Sequence, residues 1–264
     1  MALNVISPTL IPALVAQPGL HVVARAGANL TYVVVQEARP PLDDARLRRA
    51  LSLAIDRSTI CQSIFDGRAS PATGLIAPAH WAHTDAPALS FEPDGVRLLL
   101  GARRGGGRRM TLLSSTERLR VDVARIIAQE LGDVGFDVTV VPLELGTMLA
   151  RLTAGDFDLA ILQLPEMTEP NVLRHFLHSA FVPPFGANRG RVHDPILDQW
   201  LDEGERELDP VIRRSIYARV EARARDQMHV IPLWHEDQVA VTSELGRAFV
   251  PSAEGRWLSL ANLP

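Results

Sequence analysis

Residues Arg109–Asn171 read RMTLLSSTERLRVDVARIIAQELGDVGFDVTVVPLELGTMLARLTAGDFDLAILQLPEMTEPN. Met110–Leu113 is a short apolar run that predicts a strand. Ser114-x-x-Glu117 has the spacing of a capping box, which predicts a helix starting at this point. Val123, Ile126, Ile127, Leu131 and Val134 recur at helical spacing and give that helix one apolar face. Gly132 and Gly135 punctuate its end. Phe136, Val138 and Val140 alternate with Asp137, Thr139 and Val141, a strand pattern. A short helix is expected over roughly Thr147–Leu152, ended by Gly155, and Phe157–Leu162 is a third apolar strand. Strands joined through helices imply α/β architecture with a parallel sheet and right-handed crossovers. Ligands in such sheets bind outside the carboxyl ends of the strands. Two loops leave strand ends on that side: Ser114-Ser115-Thr116, and Gln163 to Pro170 with Glu166 and Met167. Every α/β domain has such loops, so topology alone does not make them a site.

Outward from this stretch, the composition of the 264 residues is that of an ordinary globular chain, 47% hydrophobic and 22% charged. Its net charge of −4 offers no electrostatic case for nucleic acid. The single cysteine, Cys61, excludes an internal disulfide framework and any Cys-rich metal site. No apolar run reaches the length of a membrane helix. Met1–Ala16 is mostly apolar, but it lacks a basic start and holds Pro8 and Pro12. It is expected to be folded sequence, with no signal peptide visible in this chain.

Upstream, Leu3–Ile6 reads as a strand, Ser7-Pro8 as the start of a short helix to about Val15, and Leu20–Ala24 and Thr31–Val35 as strands. Arg39-Pro40-Pro41 is a hinge-like break. Asp43 and Asp44 open a helix with Leu47, Ala50, Leu51 and Ala54 on one face, Arg46, Arg48 and Arg49 being largely off it. Asp56 is placed to cap the next helix. Residues 67–83 read as loop, and Pro93–Leu100 as a short helix. The glycine-rich basic run Gly101–Arg109 lacks the ending of a P-loop and reads as a solvated connector. Downstream, helices are expected after Pro170, from Asp194-Pro195 to about Glu205, and from Asp209-Pro210 to about Arg225. His229–Leu233 and Val239–Val241 read as strands, the first running into Trp234-His235-Glu236-Asp237. Trp257–Leu260 reads as a final strand or docking segment.

No catalytic signature emerges, whether a G-x-S-x-G elbow, a Cys-His pair or a G-x-G-x-x-G loop. Asp156 and Asp158 flank Phe157 as paired carboxylates but read as a solvated strand edge. His175 and His178 share helical spacing without a marked third metal ligand. His235 beside Glu236 reads as a general base or, at less cost, as an exposed loop histidine.

Three motifs carry a resemblance. Pro40–Ile60 (PPLDDARLRRALSLAIDRSTI), Gly155–Pro170 (GDFDLAILQL and a loop ending Glu-Pro) and His193–Val241 resemble, in this order, the extracellular solute-binding proteins of family 5. These are the oligopeptide-, dipeptide- and nickel-binding proteins of ABC importers. The resemblance implies a periplasmic-binding-protein-like (type II) α/β lobe with a mixed or parallel sheet and flanking helices, and an incomplete companion lobe, because this chain resembles only the later half of longer proteins. By that likeness residues 1–40 are a remnant of the first lobe, 41–241 the second, ligand-binding lobe, and 242–264 a segment returning to the first.

The same likeness implies a non-catalytic, peptide-like solute ligand, no cofactor, ABC permease subunits as partners, and a periplasmic or cell-surface place. The membrane would be met only through the transporter. In peptide-binding members a loop aspartate pairs with the ligand's α-ammonium. Glu166 occupies that position, and Gln163 stands where the family often has tryptophan. Glu166 and Gln163 by this likeness, Met167, Ser114 and Ser115 from the two strand-end loops, and Trp234 and His235 beside them are expected to be ligand-binding. The alternative is a ligand-sensing domain of a transcriptional regulator, though no helix-turn-helix is visible. A metal-dependent hydrolase using His175, His178 and His235 stands last.

Overall fold

A computed structural model describes residues 1–4, 6–100, 109–165, 167–257 and 260–261. Its centre is strand β3 (Leu30–Val35), whose six residues are all buried. A strand buried on both faces must satisfy two cores, and β3 does so by simple alternation. Val33 and Val35 enter one apolar cluster with Leu51, Ile60, Val123 and Ile127. Leu30, Tyr32 and Val34 enter a second with Met148, Leu173, Leu197 and Val220. The first cluster is roofed by helices α2 (Ala45–Leu53), α3 (Arg57–Phe65), α4 (Pro93–Leu100) and α5 (Arg118–Asp133). The second is roofed by α6 (Leu145–Ala154), α7 (Val172–Leu177), α8 (Pro195–Arg206) and α9 (Pro210–Asp226). The result is a sheet between two helical layers.

That sheet has six strands in the order β4-β8-β3-β7-β5-β6. Residues 109–171 supply β5 (Arg109–Ser115), β6 (Asp137–Leu143) and β7 (Leu159–Leu164), and β5 pairs in parallel with both others. The expected β-α-β-α-β unit is therefore present, inside a sheet that is mixed. β3 runs antiparallel to β7 and to β8 (Val230–Glu236), and β4 (Ala69–Pro71) antiparallel to β8. Register places Leu30 opposite Leu164 and Thr31 opposite Trp234. One edge of the sheet thus collects the ends of β5, β7 and β8 and the beginning of β3.

A second, three-stranded sheet has the order β1-β9-β2. It is built from β1 (Ala2–Leu3), β2 (Leu20–Arg25) and β9 (Gln238–Ser243) around a small core of Leu3, Ala240 and Phe249. Sheet membership divides the chain at other points than the expected lobe boundaries. β3, assigned by sequence to the first-lobe remnant, is central to the large sheet, and β9, assigned mostly to the second lobe, belongs to the small one. The chain crosses between sheets at residues 26–29 and at Asp237. The crossings lie side by side: the Glu236 amide donates to Asn29 Oδ1 at 2.7 Å, and Ala28 N donates in turn to Ala253 O of the C-terminal segment at 2.8 Å. They run so close that a Cβ at Gly27 would lie 2.0 Å from Glu236 O.

Helix caps follow the sequence where they are local. Asp44 accepts from Arg46 N, Asp56 from Thr59 N, Asp194 from Ile196 N and Leu197 N, and Asp209 from Val211 N and Ile212 N. Gly155 closes α6 with φ of 75°. Ser114 does not cap α5. It continues β5 opposite Pro142, fully buried, and its hydroxyl donates to Ser115 O; Glu117 is the cap instead, accepting from Leu119 N. Pairing with β6, which runs on through Ser115, outweighs the local capping pattern.

Arg48 also departs from expectation. It is buried, and its guanidinium donates to the carbonyls of Leu42, Asp43, Gln227 and Met228 and pairs with Glu37 at 3.3 Å. Residues 67–83 are loop except for β4. Asp158 is no solvated edge: it is buried and accepts from Thr111 N and Oγ1 at 2.9 and 3.0 Å, tying β7 to β5. Trp257 is not in a strand, the opening strand is confined to Ala2–Leu3, and residues 101–108 of the basic run lie outside the described residues. No helix among the described residues is long and apolar enough to cross a membrane.

Candidate functional site

Two adjoining cavities open on the sheet edge where β5, β7 and β8 end. A cleft of about 580 Å³ separates that edge from the small sheet, reached by Asn4, Gln238 and Glu254 on one side and by Arg68, Glu117 and Arg120 on the other. A chamber of about 360 Å³ continues from it over α6 and α7. The two share Arg120, Gln163 and Pro165. Outside the carboxyl ends of parallel strands, and between two sheets, is the place where α/β folds bind ligands.

The polar floor is one connected group. Arg120, in the first turn of α5, donates to both oxygens of Glu236 at 2.5 and 3.2 Å. The first turn of a helix disfavours a cation, because the dipole is positive there. Glu236 answers that charge from the end of β8, and Glu117 approaches Arg120 Nε at 3.6 Å. Thr31 Oγ1 and Trp234 Nε1 also donate to Glu236, at 2.9 and 3.3 Å, and Gln163 Nε2 donates to Thr31 Oγ1 at 3.3 Å. Burial alone would raise the Glu236 carboxyl. The Arg120 charge and the hydrogen bonds from Arg120, Thr31 and Trp234 outweigh it and hold the group below the usual carboxylate range. Asp237, with only Arg68 to counter its burial, is shifted upward instead.

The residues singled out from sequence divide into two sets. Gln163 lines both cavities and Ser115 the chamber. Ser114, Met167, Trp234 and His235 are inside the protein. Met167 joins the second apolar cluster. Trp234 joins the first, its ring 5.4 Å from Phe65, and touches the site only through its indole N–H. His235, expected on an exposed loop, is a buried residue of β8. Its Nδ1 faces Asn29 O, and burial lowers its pKa despite that contact. Burial in a strand is what removes it from the reach of a substrate. Glu166 lies outside the described residues, between Pro165, which lines the site, and the buried Met167.

His175 and His178 are structural. His175 meets the Phe181 ring edge-on, and His178 accepts from Ala180 N and faces Asp198 and Asp202. Among the described residues no three His, Cys, Asp or Glu side chains converge as metal ligands.

Sequence reasoning missed Arg120, Thr31 and Asn29, and named Glu236 only as the neighbour of His235. Two signals were present: an arginine placed against the helix dipole, and a carboxylate ending an apolar strand. Each asks for a partner, but neither says which, because the partners are 116 residues apart.

Residues 2–180 match the family described as bacterial extracellular solute-binding proteins, family 5, middle part. The chain is 26% identical over 230 residues to probable di/tripeptide-binding protein 5 of Pseudomonas aeruginosa, covering 85% of this chain and 44% of that protein. It is 25% identical over 223 residues to probable ABC transporter periplasmic-binding protein SapA of Escherichia coli, covering 82% of this chain and 41% of that one. Its fold superimposes with a TM-score of 0.85 on the ABC transporter substrate-binding protein CtaP of Listeria monocytogenes, at 17% identity, over 97% of this chain and 54% of that one. The chain therefore spans about half the length of the relatives it matches.

Proposed function

We propose that this chain, which belongs to the bacterial extracellular solute-binding proteins of family 5, carries the ligand-facing lobe of the solute-binding component of an ABC importer, with short peptides as its ligands. One observation carries the reading: a cleft and chamber at the carboxyl ends of β5 and β7, floored by a charged, hydrogen-bonded group and walled on one side by the small sheet. Such a site offers donors, acceptors and apolar walls to a polar chain with side chains. In this reading the six-stranded domain is the second lobe and the small sheet belongs to the first. The crossings at Gly27 and Asp237 are the hinge about which the lobes close over a ligand.

Binding proceeds without turnover. The permease subunits of the importer are the protein partners, the periplasm or cell surface is the compartment, and the membrane is met only through the transporter. The di/tripeptide-binding and periplasmic names of the relatives support this class of ligand and this place. Glu166, two residues beyond the last residue of β7 in sequence, is the anchor for the peptide's ammonium, and Gln163 and Ser115 contact the ligand as well.

Calorimetry with di- and tripeptides and their N-acetylated forms tests the proposal on wild type and Glu166→Gln. A charge-assisted pair lost on one side costs about 2 kcal/mol or more, so acetylation and Glu166→Gln should each weaken binding more than about tenfold. Equal binding of free and acetylated peptides would remove the Glu166 anchor. Hydrolysis of the peptides would overturn the binding-protein reading itself.

A further inference from the structure

We infer that Arg213 and His80, neither of which lines the cleft or the chamber, are positioning residues: they brace residues 167–170 from behind and so set the affinity that the adjoining Glu166 gives a peptide. The inference deepens the peptide-binding reading and rests on it. Residues 167–170 need such support. They lie between β7 and α7 without regular structure, and among the described residues no amide of Met167, Thr168 or Glu169 donates to the main chain. A segment without backbone bonding of its own is held by its side chains and by what its carbonyls accept. Three such holds exist. Met167 is buried in the second apolar cluster, Thr168 O meets His80 Nε2 at 3.2 Å, and a Glu169 oxygen accepts from Arg213 at 2.8 Å.

The two bracing side chains are themselves fixed by α9. Arg213 Nε donates to Gly204 O of α8 at 3.1 Å, and its guanidinium covers the rings of Trp81 and Tyr217 at 5.5 and 5.7 Å. It is therefore anchored to a helix and to two aromatic faces before it meets Glu169. The next residue, Arg214, donates to His83 O at 2.8 Å. Further along α9, the buried Glu221 accepts from Leu75 N and Ile76 N, both at 2.8 Å. One helix thus pins the segment 75–83 at both ends, and that segment presents His80, with the Trp81 ring stacked on it at 5.6 Å.

The His80 contact works in one protonation state. Ala82 N donates to His80 Nδ1 at 3.0 Å, so Nδ1 is the bare nitrogen and Nε2 carries the proton given to Thr168 O. A second proton would set an N–H against the Ala82 amide. Glu169, Arg213 and His83 are the charged or titratable groups facing His80, and His83 in turn faces Asp85 at 3.7 Å. Burial holds the imidazole below its ordinary range against the pull of Thr168 O and Glu169. The brace is therefore whole above histidine's ordinary value of about 6.5 and loosens as pH falls through the lower folded value.

Hydrogen exchange across residues 165–177, read by mass spectrometry, tests the brace without a ligand. Glu169→Gln and Arg213→Met should each speed exchange there about threefold or more and leave β3 unchanged, the double variant being no faster than either, because one link is broken in all three. Circular dichroism checks each fold; if Arg213→Met does not fold, Glu169→Gln, at a side chain 52% exposed, carries the test. Corrected for intrinsic rates, wild type should open further between about pH 7 and about pH 5, and His80→Gln, which keeps a donor for Thr168 O, should not. Calorimetry with Ala-Leu and N-acetyl-Ala-Leu reads the consequence. Both variants should narrow the preference for the free amine about threefold or more and spare the acetylated peptide, whereas a merely structural role would weaken both alike. Unchanged exchange in the variants overturns the brace, whatever binds. Faster exchange with an unmoved preference overturns the positioning role and leaves peptide binding standing. If wild type binds neither peptide, the peptide reading falls and the positioning role with it, while exchange still decides the brace.

Discussion

Replacing Glu236 by glutamine keeps the shape of the side chain and removes its charge, which tests the polar floor of the site directly. The carboxylate meets Arg120 at 2.5 and 3.2 Å, and the two side chains are 17% and 19% exposed. Fully exposed pairs contribute about 0–1 kcal/mol, and breaking a fully buried one costs about 3–5 kcal/mol. A pair this enclosed lies between, so Glu236→Gln should cost about 2–3 kcal/mol at neutral pH. The glutamine oxygen still accepts from Thr31 and Trp234, so the loss is that of the charge on Arg120. The folded carboxyl is held below its ordinary value, burial being outweighed by Arg120 and the hydrogen bonds. Its stabilisation is therefore complete above the unfolded carboxyl's pKa of about 4.3 and fades as pH falls through the lower folded value. Urea unfolding of wild type and variant at about pH 7 and about pH 3 measures both terms, with the midpoint compared at constant slope. A double-mutant cycle with Arg120→Met isolates the pair. A gap under about 0.5 kcal/mol at neutral pH, within the scatter of ordinary surface changes, would refute the reasoning, as would a gap that does not shrink in acid.

Gly27→Ala places a Cβ within 2.0 Å of Glu236 O at the crossing between sheets. Overpacking of this kind costs about 2 kcal/mol and should lower the melting temperature by about 4–8 °C; an unchanged transition would mean the crossings have room to separate. Arg48→Met removes the donors that serve four main-chain carbonyls and the partner of Glu37. It should destabilise by about 3–5 kcal/mol in urea unfolding, and a loss like that of an exposed arginine would show that Arg48 is not the clamp between α2 and the end of α9.

The fold and the site were legible to different degrees. Strand β3 announces itself, since TYVVV is β-branched and aromatic throughout and has no charged residue to turn toward water. The caps at Asp44, Asp56, Asp194 and Asp209 announce themselves because cap and amide are two or three residues apart. Ser114 carried the same kind of signal and lost it to β5, whose pairing with β6 rewards extension through Ser115. Of the residues read as lining a site, Gln163 and Ser115 sit at strand ends and do line it. Trp234 and His235 sit in a strand buried on both faces and do not. Strand burial on the second face depends on which helices cover it, and no local pattern states that.

What the sequence determined by itself was therefore local: which segments extend, which coil, where helices begin, and that parallel strands leave their loops on one side. These follow from side-chain periodicity and from hydrogen bonds between near neighbours. The tertiary structure alone decided which strands share a sheet, and so where the crossings fall. It also decided that Arg48 turns inward, and that Arg120 from one layer meets Glu236 from another. Each of those outcomes is a contact between residues far apart in the chain, selected by the shared cost of burying backbone and charge rather than by anything adjacent in sequence.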